Sequence, residues 1–309
     1  MTIAIIGAGM AGLSAARRLV DAGRDVVVFD KSRGLGGRMA TRRAGELTFD
    51  HGAQYFTARG PAFRAAVEAW RAQGHAAAWF GDGHVGTPGM TAPARALAEG
   101  LRIVPSCQVN ELHRAPDGWT VLDANGPVAV PGNGAFEAVV LAVPAPQALP
   151  LAASADVSFP AMEQAVYAPC WALMLAFAEP TGLPDGDRRD EGPIAWIARN
   201  ASKPGRSATP ETLVVHASPG WSRQHLELAP DDAATRLLEE FRAITQIDAT
   251  PLFMAAHRWR YALVERAAGE ACLWDAEAQI GACGDWCLGP RVEAAFDSGI
   301  AMADVLLKP

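Results

Sequence analysis

The run Gly7-Ala-Gly9-Met10-Ala11-Gly12 carries three glycines at the spacing that lets a backbone wrap a pyrophosphate. The first permits a tight turn, the second lets the main chain approach an anionic ligand, and the third lets the following helix pack closely on its strand. Unsatisfied N–H groups and the macrodipole at that helix's N-terminus both favour the anion. Asp30 stands 18 residues after Gly12 at the end of the next apolar run, so its carboxylate is expected at the ribose hydroxyls, where it would repel a 2′-phosphate. The chemistry of this set is dinucleotide binding.

A second anion-binding element follows at once. In Lys31-Ser-Arg-Gly34-Leu-Gly36-Gly37-Arg38 the glycines free the backbone to approach a ligand, and Lys31, Gly37 and Arg38 are expected on it, with Arg38 paired to phosphate. The mixture Phe49-Asp50-His51-Gly52-Ala53-Gln54-Tyr55-Phe56 suits a loop lying against a planar ring, with Gln54 and Tyr55 as contacts. His51 has two readings, a base or a loop residue bonded to backbone. Further on, in His257-Arg258-Trp259-Arg260-Tyr261-Ala262, alternate residues of a strand share a face, so His257, Trp259 and Tyr261 would stand opposite Arg258 and Arg260. Tyr55, Trp259, Tyr261 and Trp286 are candidates for a pocket wall, with His257 or Arg258 as polar contacts. Trp171, Trp196, Trp221 and Trp274 suit either a pocket or a core.

The elements that must position these groups are legible in outline. Residues 2–30 read as strand, helix and strand; 63–73 as an amphipathic helix; 93–99 as a short helix before a strand at 101–105. Pro116-Asp117-Gly118 and Asn125-Gly126-Pro127 mark turns of a β-meander, and 136–143 reads as a buried strand. Strands are expected at 167–177, 194–200, 213–217 and 252–259, a helix at 231–244, and an exposed loop at 184–192. Finally 278–283 forms a strand before Gly284-Asp285-Trp286, and Pro290 opens a helix through Val292. The domains expected are residues 1–60, 90–150 and 270–309 for the dinucleotide, and 61–89 and 151–269 for the substrate.

Composition limits the partners. A net charge of −7 argues against nucleic acid, and no run is long enough for a bilayer span. The apolar N-terminus lacks the basic region of a signal peptide, so a cytoplasmic protein is expected. Five scattered cysteines without a C-x-x-C pair read as free thiols; Cys283 and Cys287 lack further ligands, and no metal is expected.

Together the glycine turn, the Gly-Gly-Arg segment, Asp-His-Gly-Ala-Gln-Tyr-Phe, His-Arg-Trp-Arg-Tyr-Ala and the closing Gly-Asp-Trp resemble the renalase-like branch of the flavin-containing amine oxidase superfamily. The resemblance implies an α/β fold, a Rossmann-like two-dinucleotide-binding FAD domain with a β-meander plus a smaller α+β substrate domain; His51 or a cysteine could tether the FAD, but no attachment motif stands out, so noncovalent FAD is expected. It implies that the Val109 strand lends its backbone to the adenine, that Gly284 and Asp285 meet the ribityl chain, and that the helix at Val292 points its N-terminus at the pyrimidine side of the flavin. Many members place a lysine near flavin N5. Here Lys31 adjoins the ribose acid, Lys203 lies in a Lys-Pro-Gly loop and Lys308 is at the tail, so none is expected there. The implied substrates are 2- and 6-dihydro isomers of NAD(P), oxidised to NAD(P)⁺ with dioxygen reduced to hydrogen peroxide. A small-amine oxidase and a non-catalytic flavin scaffold are the alternatives. The sequence leaves oligomeric state open.

Overall fold

Alternating β-branched and small residues at the start of the chain form the centre of a six-stranded sheet. The computed structural model describes residues 2–130, 134–189 and 192–308. Strand Thr2–Ile6 is buried throughout and pairs in parallel with Asp25–Phe29 on one side and Ala138–Leu141 on the other. Arg102–Val104 and Ile280–Ala282 extend the parallel sheet, and Leu273–Asp275 closes one edge antiparallel. Burial on both faces accounts for the near-continuous apolar runs.

One face of the sheet carries helices Met10–Asp21 and Val292–Leu306. They approach closely because Gly299 has no side chain: a Cβ there would lie 2.2 Å from the Ala11 carbonyl oxygen. The other face is covered by the three-stranded sheet of Glu111–Ala115, Gly118–Asp123 and Gly126–Pro127, with Leu112, Trp119 and Val121 in a shared core with Val139 and Leu141. This is the expected meander, and the fold is the expected mixed α/β, Rossmann-like architecture. Val109, however, lies just before the first meander strand, which starts at Glu111.

The sheet on the expected substrate side is antiparallel, in the order Gly186–Arg188, Ile194–Arg199, Glu211–Ala217, Val166–Phe177, Phe253–Arg266. Helix Pro230–Thr245, with Asp231 and Asp232 favoured in its first turn by the macrodipole, packs Leu237 and Phe241 on one face with Phe177. Within the expected loop 184–192 the chain instead makes strand Gly186–Arg188; residues 190 and 191 lie outside the described residues. The last strand of the sheet runs on to Arg266, well past the expected end at 259, because the 12-residue strand Val166–Phe177 offers it a partner along that length.

One segment packs elsewhere than its expected domain. Helix Pro61–Ala72 buries Phe63, Val67 and Trp70 in the same cluster as Leu13, Phe296 and Met302, not against the substrate sheet. Its N-terminus is capped from that side too, since the Glu293 carboxylate accepts from the Arg59 N–H at 2.9 Å and the Gly60 N–H at 2.5 Å. Among the described residues no helix is long and apolar enough to cross a membrane.

Candidate functional site

A continuous cavity of about 1570 Å³ runs from the first glycine turn to the substrate-side sheet. At its dinucleotide end Gly7 adopts φ 115°, and a Cβ there would stand 2.5 Å from the Ala142 carbonyl oxygen. A Cβ on Gly12 would meet the Gly7 carbonyl oxygen at 2.0 Å, so both positions are closed to any side chain. Gly9 is the opposite case: its missing Cβ points into space empty to 4 Å, leaving the main chain bare towards the cavity. The helix that begins at Met10 has no side-chain cap and no acid in its first turn, so its N–H groups and dipole are available to an anion.

Asp30 braces this turn. One carboxylate oxygen accepts from the Ala8 N–H at 2.7 Å, the other from the Ser32 N–H at 2.7 Å, and each keeps lone pairs for a ligand. The second glycine segment folds onto the first through the Gly36 N–H, which donates to the Ala8 carbonyl at 2.9 Å. Lys31, Gly37, Met10 and Ala11 border the same cavity, as does the buried Val109. The bare main chain, the open helix end and the Asp30 carboxylate fit a dinucleotide cofactor. These residues would hold its pyrophosphate and adenosine.

Arg38 is not free for phosphate. Its guanidinium makes two parallel hydrogen bonds, each 2.7 Å, to the Asp285 carboxylate and a third at 3.2 Å to the Ala262 carbonyl. Burial disfavours its charge, but Asp285 outweighs that and leaves the pKa raised. Both residues border the cavity beside Gly284 and Val292. The expected phosphate arm thus clamps the segment that the resemblance assigns to the ribityl chain, because a carboxylate matches the guanidinium fork better than any nearby backbone group.

The far wall is built around aromatic rings. His51, His257 and Trp259 form a triangle of rings with centroids 4.4 to 5.0 Å apart. The Trp259 indole N–H donates to the His51 carbonyl at 2.9 Å, and His216 Nε2 lies 3.2 Å from the same oxygen. Burial, then His257, Arg42 and His216, pushes the His51 pKa down to about 4. Burial, opposed by the bond to His51 and aided by Lys203, likewise pushes His216 down to about 4. These rings are neutral at pH 7. Tyr55 leans on Trp196 at 5.7 Å, and Tyr261 on Tyr167 at 5.6 Å.

Two wall candidates border the cavity but are held by other contacts. Trp286 is fully buried, its indole N–H donating to the Val143 carbonyl at 3.2 Å within the core beneath the sheet. Apolar area that large is held by the core. Arg258 turns to the opposite side of its strand, where its guanidinium donates to the Leu226 carbonyl and, together with Arg260, to Glu227.

Gln54 borders the cavity but keeps its side chain inside the protein: its amide nitrogen donates to the Asp50 carbonyl at 2.5 Å and the Gly52 carbonyl at 2.8 Å, and its oxygen accepts from Lys203 at 3.0 Å. Lys203, read from sequence as a loop lysine, has a fully buried side chain. Burial, against the pull of Asp50, pushes its pKa down to about 8. Neither its burial nor the place of His216 and Trp196 in the cavity wall had a local signal, because each depends on a contact made across the fold.

The comparisons with known proteins agree with this geometry. A model described as an NAD(P)-binding Rossmann-like domain matches residues 5–70, and one described as flavin containing amine oxidoreductase matches residues 68–307. A 4,4'-diapophytoene desaturase (4,4'-diaponeurosporene-forming) of Staphylococcus aureus is 46% identical over 52 residues, which is 17% of this chain and only 10% of that protein. Among solved structures, a putative protoporphyrinogen oxidase from Exiguobacterium sp. 255-15 superposes with TM-score 0.79 at 14% identity, covering 99% of this chain and 98% of that one. A putrescine oxidase bound to putrescine superposes with TM-score 0.67 at 12% identity, covering 100% of both chains; these two likenesses speak to fold alone. With the second family model spanning most of its length on a Rossmann-type dinucleotide cradle, the chain belongs to the flavin containing amine oxidoreductase family, and its cofactor is FAD.

Proposed function

We propose that this flavin-dependent oxidoreductase oxidises isomeric dihydronicotinamide dinucleotides, the 2- and 6-dihydro forms of NAD(P), to NAD(P)⁺, with dioxygen reduced to hydrogen peroxide. The charge of the cavity wall carries the reading. With Arg38 paired to Asp285, and Arg258 and Arg260 to Glu227, Lys31, Arg59, Arg95 and Arg291 still border it, whereas its carboxylates, among the described residues, are Asp30 at the adenosine end and the paired Asp285. An ammonium substrate would find no unpaired carboxylate near the aromatic wall. A substrate that brings its own pyrophosphate suits the surplus of cations.

The cavity, about 1570 Å³, exceeds the roughly 300–1,000 Å³ of a pocket for one small ligand, as it must to hold FAD and a substrate together. When bound, FAD supplies a hydride acceptor and a ring that reacts with dioxygen. The chain's own work is placement. Trp259, Tyr261 and Tyr55 offer flat faces to the nicotinamide, and neutral His51 and His257 add no positive charge of their own where a cationic ring is formed. The donor gains aromaticity on oxidation, so no side chain has to remove a proton, and orientation supplies most of the rate.

Anaerobic mixing tests this directly. The flavin should bleach rapidly with 2- or 6-dihydronicotinamide dinucleotides and slowly or not at all with putrescine. Bleaching by amines alone would replace the proposal with a small-amine oxidase; bleaching by neither would leave a flavin scaffold.

A further inference from the structure

Asp50 ends strand Leu47–Asp50 with its carboxylate fully buried and surrounded by donors. One oxygen accepts from the Thr41 hydroxyl at 2.7 Å and the Met90 N–H at 2.9 Å, the other from Lys203 at 3.3 Å and Arg206 at 2.5 Å. Two buried cations on one carboxylate leave one positive charge uncompensated in this cluster. Such an arrangement is costly, and a fold keeps it where something else is gained.

The gain is seen at Gln54. Lysine has only donors and a carbonyl only accepts, so with Lys203 on Oε1 and the Asp50 and Gly52 carbonyls on Nε2 the amide has one permitted orientation. That orientation ties down the main chain of the loop at two points on either side of His51, whose own carbonyl is held by Trp259 and His216. The loop is further pressed against the Arg38 main chain: the Ala53 N–H donates to the Arg38 carbonyl at 2.8 Å, and a Cβ on Gly52 would meet that oxygen at 2.0 Å. Residues 51–57 border the cavity; Lys203 stands behind them, its ammonium 5.2 Å from the centre of the Trp79 ring.

We infer that Lys203 is a positioning residue of the FAD site, which acts through Gln54 to fix the loop 50–54 and places a net positive charge behind that wall. The inference depends on FAD occupancy and is independent of which substrate the enzyme takes. Removing the charge or the amide should loosen the same loop and disfavour the electron-rich reduced cofactor.

The test compares Lys203→Met, Lys203→Arg, Gln54→Met and the Lys203→Met/Gln54→Met double variant in two readouts, FAD affinity by quenching of flavin fluorescence and the flavin midpoint potential by dye equilibration. Lys203→Met and Gln54→Met should each raise the FAD dissociation constant about tenfold. The double variant should be no weaker than the weaker single, because both changes cut one path. Lys203→Met should also make the potential more negative, and Lys203→Arg should restore both readouts to near wild type. Additive losses in the double variant, or a fall in melting temperature with affinity and potential unchanged, would overturn the inference. Should Lys203→Met fail to fold, Gln54→Met keeps Asp50 and both cations in place, and wild-type affinity in that variant overturns it alone. Wild-type protein that does not take up FAD would instead refute the cofactor.

Discussion

Arg38 and Asp285, 247 residues apart in the chain, meet in a two-pronged ion pair with both bonds at 2.7 Å. The pair joins the second glycine segment to the Gly-Asp-Trp segment beside the cavity proposed for the cofactor. Asp285→Asn keeps the shape but removes the charge that holds the guanidinium, and the FAD dissociation constant should rise by about tenfold or more. Titration of the apoprotein with FAD measures this; unchanged affinity would make the pair a structural tie without a role in binding.

Two glycines three residues apart, Gly9 and Gly12, should separate folding from binding. Gly12→Ala drives a Cβ to within 2.0 Å of the Gly7 carbonyl oxygen, so the apoprotein itself should be severely destabilised. Gly9→Ala meets nothing within 4 Å and should leave apoprotein melting unchanged while weakening FAD binding. Equal losses of melting temperature in the two variants would contradict the geometry.

Acid should weaken the apoprotein before its buried carboxylate protonates. His51 and His216 are held neutral with pKa values of about 4 against an ordinary 6.5, so as pH falls through that interval the unfolded chain binds protons that the folded chain refuses. Stability is full above 6.5 and lost towards 4. Asp50 runs lower: its pKa, about 2 against 3.8 because Lys203 and Arg206 outweigh its burial, makes its contribution present above 3.8 and lost only below that. Melting temperatures between pH 7 and 4 should show the decline, and His216→Gln should flatten it; an unaltered slope in that variant would assign the loss elsewhere.

Trp286→Phe is expected to act on stability and not on substrate. The change leaves the Val143 carbonyl without its indole donor and opens space in the core, a loss of about 1–3 kcal/mol. Denaturant unfolding gives the loss, and KM and the flavin spectrum should stay at wild-type values. A changed KM would return Trp286 to the pocket wall.

Much of this was readable because it is local. The glycine turn, the strands around it and the acid at Asp30 need only neighbours in sequence, and each glycine's role follows from the backbone next to it. Alternation along a strand was enough to set His257 and Trp259 against Arg258 and Arg260. Helix 61–72 shows the limit: its amphipathic face was plain, but an apolar face does not say which of two cores will bury it.

What the sequence by itself determined is the dinucleotide cradle and the α/β class, because turn chemistry and hydrophobic period act over a few residues. Only the tertiary structure decided what the charged and aromatic groups do. Lys203 looks like a surface lysine in a Lys-Pro-Gly turn until Asp50, 153 residues earlier, supplies the carboxylate that makes its burial possible. Arg38 passes for a phosphate arm until Asp285 arrives from the other end of the chain. Charges and indole N–H groups go where buried partners can satisfy them, and those partners are chosen by packing at long range.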